Sequence, residues 1–149
     1  MTKQTKTQID HLVIGAASLA EGVTFVREQL GVDIPEGGEH LSMGTHNHLM
    51  QLGEGVFLEV ISIHPDIEPP PSPRWYGLDD PFVRQRIEQR PVLLTWVVNS
   101  VDIHGFMNGA SVDFGEIESV SRGSLNWLFG LPEDGRLLAG GTLPYVIQW

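Results

Sequence analysis

The sequence predicts an α+β fold built from two βαβββ modules that share a mixed sheet. Three observations carry this. A strand, a well-capped helix and three further strands follow one another over about residues 8–63. A proline-rich break then occupies about 64–91. A weaker copy of the same order runs over about 92–149, closing a single domain. At 149 residues the chain is long enough for one domain with a substantial core.

Ile9 to Ile14 is short and rich in branched apolar residues, as strands are. Ser18-Leu19-Ala20-Glu21 is a capping box, in which the serine oxygen accepts from the Glu21 amide. Leu19, Val23, Val26 and Leu30 follow at helical spacing, and Gly31 stands where a left-handed C-terminal residue belongs. After a Pro35-Glu36-Gly37-Gly38 turn, strands are predicted near Glu39–Met43, His46–Leu52 and Val56–Ile63. Gly53-Glu54-Gly55 makes a hairpin between the last two.

Pro65 to Pro73 contains five prolines and reads as an extended connector. Asp80-Pro81 starts a short helix to about Gln89, expected to pack on a sheet edge. Leu93–Val98 opens the second module. Asp102 caps a helix through Asn108, and strands are predicted at Asp113–Val120, Leu125–Leu131 and Leu143–Trp149.

Composition limits the function. Hydrophobic residues make up 41% and charged residues 19%, an ordinary globular balance. The net charge of −10 disfavours nucleic acid and anionic membranes as partners. There is no cysteine, so a metal site must use His, Asp or Glu. Met1 to Thr7 is polar and precedes no apolar run of signal-peptide or transmembrane length, from which a cytoplasmic location is expected.

Superimposing the halves on their helix starts sets His11 opposite Thr95 and Glu59 opposite Gln148. At these residues the chain resembles the glyoxalase-like branch of the vicinal-oxygen-chelate superfamily, which includes glyoxalase, bleomycin-resistance and dioxygenase types. The likeness rests on Asp10-His11-Leu12-Val13-Ile14, Gly44-Thr45-His46-Asn47-His48-Leu49 and Phe57-Leu58-Glu59-Val60-Ile61. Pro73-Arg74-Trp75-Tyr76-Gly77-Leu78-Asp79 and Leu143-Pro144-Tyr145-Val146-Ile147-Gln148-Trp149 add to it.

The resemblance implies that the sheet wraps a central cavity and that first and last strands of each module supply metal ligands. Carried over, the set is His11, Glu59, Thr95 and Gln148. Thr95 is a poor ligand and is kept as a substrate contact, leaving His11, Glu59 and Gln148 for the metal. Gln148 stands where a glutamate is more usual. The implied cofactor is a divalent ion (Zn, Mn, Fe or Ni), with no organic cofactor. The implied activity is that of a metal-dependent lyase, isomerase or dioxygenase on a small oxygenated molecule. A non-catalytic protein that sequesters a small molecule is the alternative. A homodimer is a further expectation from the family.

Glu59 sits among apolar residues, which predicts a raised pKa and a role as ligand or general base. Without a metal, His11 and Glu59 would simply bond each other or a water. His46 and His48 share one face of their strand and are candidate substrate contacts, or partly exposed histidines on a sheet. Trp75 and Trp96 are candidate cavity walls or core residues, and Arg74 is a candidate partner for a ligand carboxylate or a surface ion pair. His40, His64 and His104 show no informative spacing.

Overall fold

The structure, a computed structural model, describes residues 6–149. The Met1–Thr7 reading thus lies mostly outside the described residues. The chain forms β1 (Thr7–Gly15), α1 (Leu19–Leu30), β2 (Glu36–His40), β3 (Thr45–Gly53) and β4 (Val56–Ile63). It continues with α2 (Pro81–Gln89), β5 (Val92–Ser100), α3 (Ile103–Gly109), β6 (Glu116–Arg122), β7 (Leu125–Leu131) and β8 (Tyr145–Gln148). The predicted βαβββ order thus occurs twice.

All eight strands join one sheet in the order β2-β3-β4-β1-β5-β8-β7-β6. β1 and β5 run antiparallel at its centre, and each pairs in parallel with the last strand of its own module, β4 or β8. His11 lies opposite Val97, and Val13 opposite Thr95. That reciprocal register is what a two-fold relation between the modules requires if His11 and Thr95 are equivalent. The sheet curls until its two edges approach: Arg122 at the end of β6 reaches Asn47 of β3 and packs over Gly38 of β2.

The helix starts follow the sequence closely. Ser18 accepts from the Glu21 amide and Gly31 adopts φ 69°. Asp80 accepts from Phe82 N–H before Pro81, and Asp102 accepts from Gly105 N–H. α1 covers one end of the convex face through Val26, against Leu58 and Val60. α3 covers the other through Ile103, against Val98 and Val146.

The connector departs from expectation. Its helix was expected at a sheet edge, but Trp75, Tyr76, Leu78, Val83 and Ile87 pack into the concave face beside Val13, Ile61, Val97 and Phe129. These side chains are too apolar to leave in water, and the curled sheet offers them the largest apolar surface. Tyr145 holds the segment in place. Its buried hydroxyl accepts from Tyr76 N–H and meets the carbonyls of Gly135 and Arg136. Tyr76 there takes φ 58°, a left-handed conformation uncommon outside glycine.

The expected Pro35–Gly38 turn is also different, because Glu36, Gly37 and Gly38 belong to β2 itself. A Cβ on Gly37 would lie 2.1 Å from Asn47 Oδ1, and one on Gly38 would lie 3.1 Å from Arg122 Cδ. These glycines leave room for neighbouring side chains rather than for a turn.

Candidate functional site

His11 on β1 and Glu59 on β4 project from the concave face. The parallel register pairs His11 with Phe57 and Val13 with Glu59, so all four share that face. His11 Nε2 stands 3.5 Å from Glu59 Oε1, both residues being 5% exposed. Glu59 Oε1 makes no hydrogen bond, whereas Oε2 accepts from Asn47 Nδ2 at 2.6 Å. Behind His11, Asp10 Oδ1 lies 2.7 Å from Nδ1. Asp10 Oδ2 accepts from Asn99 Nδ2 at 3.1 Å and from Trp149 Nε1 at 2.8 Å. The imidazole stacks on Phe57 with ring centres 4.6 Å apart. Its plane and its Nδ1 partner are therefore both fixed, and Nε2 is left pointing at Glu59.

The charges follow from this geometry. Burial alone would lower the His11 pKa, but the Asp10 hydrogen bond and the negative charges of Asp10 and Glu59 outweigh it and raise it to about 9. Burial alone would raise Glu59, but the nearby positive charge of His11, with the Asn47 hydrogen bond, outweighs it and leaves the pKa below the usual carboxylate value. The apolar neighbours alone predict a raised value, but the cationic His11 beside Glu59 reverses the direction. Asp10 is likewise lowered, burial being overcome by His11, Asn99 and Trp149. At neutral pH the cluster is one imidazolium between two carboxylates.

His11, Asn47, Phe57 and Glu59 line a pocket of about 50 Å³ together with His40, Trp75, Trp127 and Arg122. This exceeds the ~10–15 Å³ that a single water needs, but falls far short of the ~300–1,000 Å³ of ordinary ligand pockets. The connector aromatics have filled most of the cavity that the family likeness implies. Leu49, Phe57 and Trp149 also line an open groove of about 560 Å³ next to the pocket.

Trp75 lines the pocket, 3% exposed, with an indole N–H that has no partner. His40, which showed no spacing signal, also lies in the wall. Its Nδ1 meets Thr45 Oγ1 at 3.1 Å and its ring stands edge-on to Trp75. Burial lowers its pKa, so it is neutral there.

The structure does not bring the other expected residues here. Gln148 faces the convex side, where its Oε1 accepts from Ile103 N–H at the start of α3. The register explains this. Val13 pairs with Glu59 but Val97 pairs with Tyr145, so Tyr145 is the counterpart of Glu59. The irregular stretch Pro132–Pro144 separates β7 from β8, and its length cannot be matched by sequence alone. Thr95 is buried with its hydroxyl near the carbonyls of Trp96 and Leu143, away from the pocket. Trp96 packs toward α3 and donates to Thr142 O.

His46 and His48 do share a face, but it is the opposite one, facing Ser62 and Val60. His46 sits against His64, and His48 Nδ1 meets Ile34 O. The residue between them, Asn47, is the one that reaches Glu59. Arg74 is committed elsewhere, to Asp79 at 2.6 Å and Met43 O at 3.0 Å.

A curled eight-stranded sheet of two βαβββ modules, with a histidine and a carboxylate converging on its concave side, defines the vicinal-oxygen-chelate class of fold. The model of the glyoxalase-like domain matches residues 9–149, so the chain belongs to that family. Among solved structures, a hypothetical protein from Staphylococcus aureus is similar at TM-score 0.67 and 16% identity. The match covers 97% of this chain and 59% of that one, so the chain spans under two thirds of that protein's length. Methylmalonyl-CoA epimerase from Streptomyces coelicolor, in complex with 2-nitronate-propionyl-CoA, is similar at TM-score 0.58 and 14% identity, covering 95% and 96% of the two chains. The epimerase from Mycobacterium tuberculosis is similar at 0.53 and 15%, covering 94% and 86%. These likenesses show the fold. Among curated proteins none matches the chain. No helix among the described residues is long and apolar enough to cross a membrane.

Proposed function

We propose that the chain is an enzyme that moves a proton at a carbon beside a carbonyl group of a small oxygenated molecule, with Glu59 as base and His11 as its partner. The single observation that carries this is the convergence of His11 Nε2 and the unpartnered Glu59 Oε1 on one aromatic-walled pocket. Glu59 is ionised at neutral pH and can accept a proton. His11 stands beside it to stabilise the charge left on the substrate oxygen, and Asp10 keeps the imidazole oriented. Trp75 and Trp127 give the pocket apolar walls, beside which these interactions are stronger than in water.

The family also implies a divalent cation. Among the described residues no group of three or more His, Asp or Glu has metal-holding spacing. Two residues that could ligate it remain: Glu59, whose Oε1 makes no hydrogen bond, and His11, whose Nδ1 is held by a carboxylate and whose Nε2 would have to give up its proton to the incoming ion. His11 and Glu59 are therefore the pair that would hold Zn, Mn, Fe or Ni, with Gln148 and Thr95 outside the site. A bound cation supplies Lewis-acid polarisation of adjacent substrate oxygens.

Exchange of α-protons in D₂O, followed by NMR for short 2-oxo and 2-hydroxy carbonyl compounds with Zn²⁺ present, tests the assignment. At least one compound is expected to exchange well above background, with a loss of about 10²–10⁴-fold in Glu59→Gln. Exchange that survives that substitution, or none with any compound, removes the reading.

A further inference from the structure

Resting on that reading of the site, we infer that Arg122 is its anion-recognising residue and that the substrate is a short carboxylic acid carrying its reactive carbonyl beside the carboxylate. Arg122 is the only lysine or arginine lining the pocket among the described residues. It comes from β6, the far edge of module two, whereas His11 and Glu59 come from module one. Curling of the sheet is what brings them together.

Its guanidinium has no carboxylate partner within ion-pair distance among the described residues, although the chain carries a net charge of −10. Its protein hydrogen bond is a long one, Nη1 to Asn47 Oδ1 at 3.5 Å. Arg74 and Arg136, by contrast, are each paired with an aspartate. A half-buried guanidinium that lines a pocket and gives only one long hydrogen bond to the protein matches a planar carboxylate, which it can hold through two parallel bonds.

The surroundings hold Arg122 in place. Gly38 lacks the Cβ that would press on Arg122 Cδ, and Gly37 lacks the one that would displace Asn47. Asn47 accepts from Gly38 N–H and from Arg122 through Oδ1 while donating to Glu59 through Nδ2. One amide thus sets the spacing between the cation that would hold the carboxylate and the base that would act beside it. Trp75, whose buried N–H has no partner, lines the same pocket. The small volume of about 50 Å³ restricts the acid to a few heavy atoms.

Tryptophan fluorescence reads the pocket through Trp75 and Trp127. Tag-free protein, stripped of metal with a chelator, is titrated with pyruvate and with its neutral isostere pyruvamide. Pyruvate is expected to bind at least about tenfold more tightly than pyruvamide. Arg122→Gln should abolish that preference, Arg122→Lys should keep part of it, and Gly38→Ala should weaken it by pushing Arg122 aside. Equal binding of the two probes, binding of neither, or an unchanged preference in Arg122→Gln overturns the inference. Because the titration needs neither metal nor turnover, its failure is separate from a failure of the α-proton exchange assay in Glu59→Gln.

Discussion

Asn47 Nδ2 donates to Glu59 Oε2 at 2.6 Å, leaving Glu59 Oε1 to face His11 alone. Asn47 thereby decides which carboxylate oxygen is available. Asn47→Asp places a second acid at that contact. One of the two carboxyls must then hold a proton, and the apparent pKa values belong to the pair. The variant is expected to fold with lower stability and to shift the acid limb of its pH–rate profile upward. Asn47→Leu, which cannot orient Glu59, should lose rate without that upward shift. Both are read from pH–rate profiles of the exchange reaction.

The His11, Asp10 and Glu59 cluster is predicted to make the fold pH-sensitive at both ends. Its folded pKa is raised to about 9 from 6.5, so its contribution is fully present below about pH 6.5 and is lost as pH rises through about 9. Asp10 and Glu59 are lowered in the folded state, so theirs is present above their ordinary values and is lost as pH falls through the folded ones. The melting temperature of chelator-treated protein should be highest between about pH 5 and about pH 7 and fall on either side. His11→Ala leaves two buried carboxylates without their cation and should cost about 3–5 kcal/mol at pH 7. A flat pH profile in the wild type would refute the ion cluster.

Tyr145 stands where the register would place a counterpart of Glu59, yet it does structural work. Tyr145→Phe removes the acceptor of Tyr76 N–H and the donor to the Gly135–Arg136 turn. A loss of about 1–3 kcal/mol is expected by chemical denaturation, since a buried N–H is left unpaired. Affinity for a divalent ion should change much less than in Glu59→Gln.

The sequence made the modules legible because their signals are local. Ser18 with Glu21, Gly31, Asp80-Pro81 and the Gly53–Gly55 hairpin each act within a few residues. His11 and Glu59 are legible because each is a titratable residue within a short strand rich in apolar residues, β1 or β4. What escaped depends on distance or parity. The place of Gln148 is not legible because an irregular stretch before β8 hides its register, and a slip of three residues reverses the face. His46 and His48 drew notice as a pair, but the strand's other face carries the contact, through Asn47. Arg122 and His40 meet the site only when the sheet curls, and no local spacing records that. Gly37 and Gly38 imitate a turn because close packing and sharp bending favour the same residue.

We propose that His11 and Glu59, which converge on one pocket, also hold a divalent ion there. Calorimetric titration of Zn²⁺ and Mn²⁺ into tag-free, metal-stripped protein tests it most directly, comparing wild type with His11→Gln and Glu59→Gln under conditions where all three give native circular dichroism. One ion is expected to bind per chain, with affinity reduced about 10²-fold or more in each variant. A wild type that binds neither ion, or variants that bind as tightly as wild type, would contradict the account.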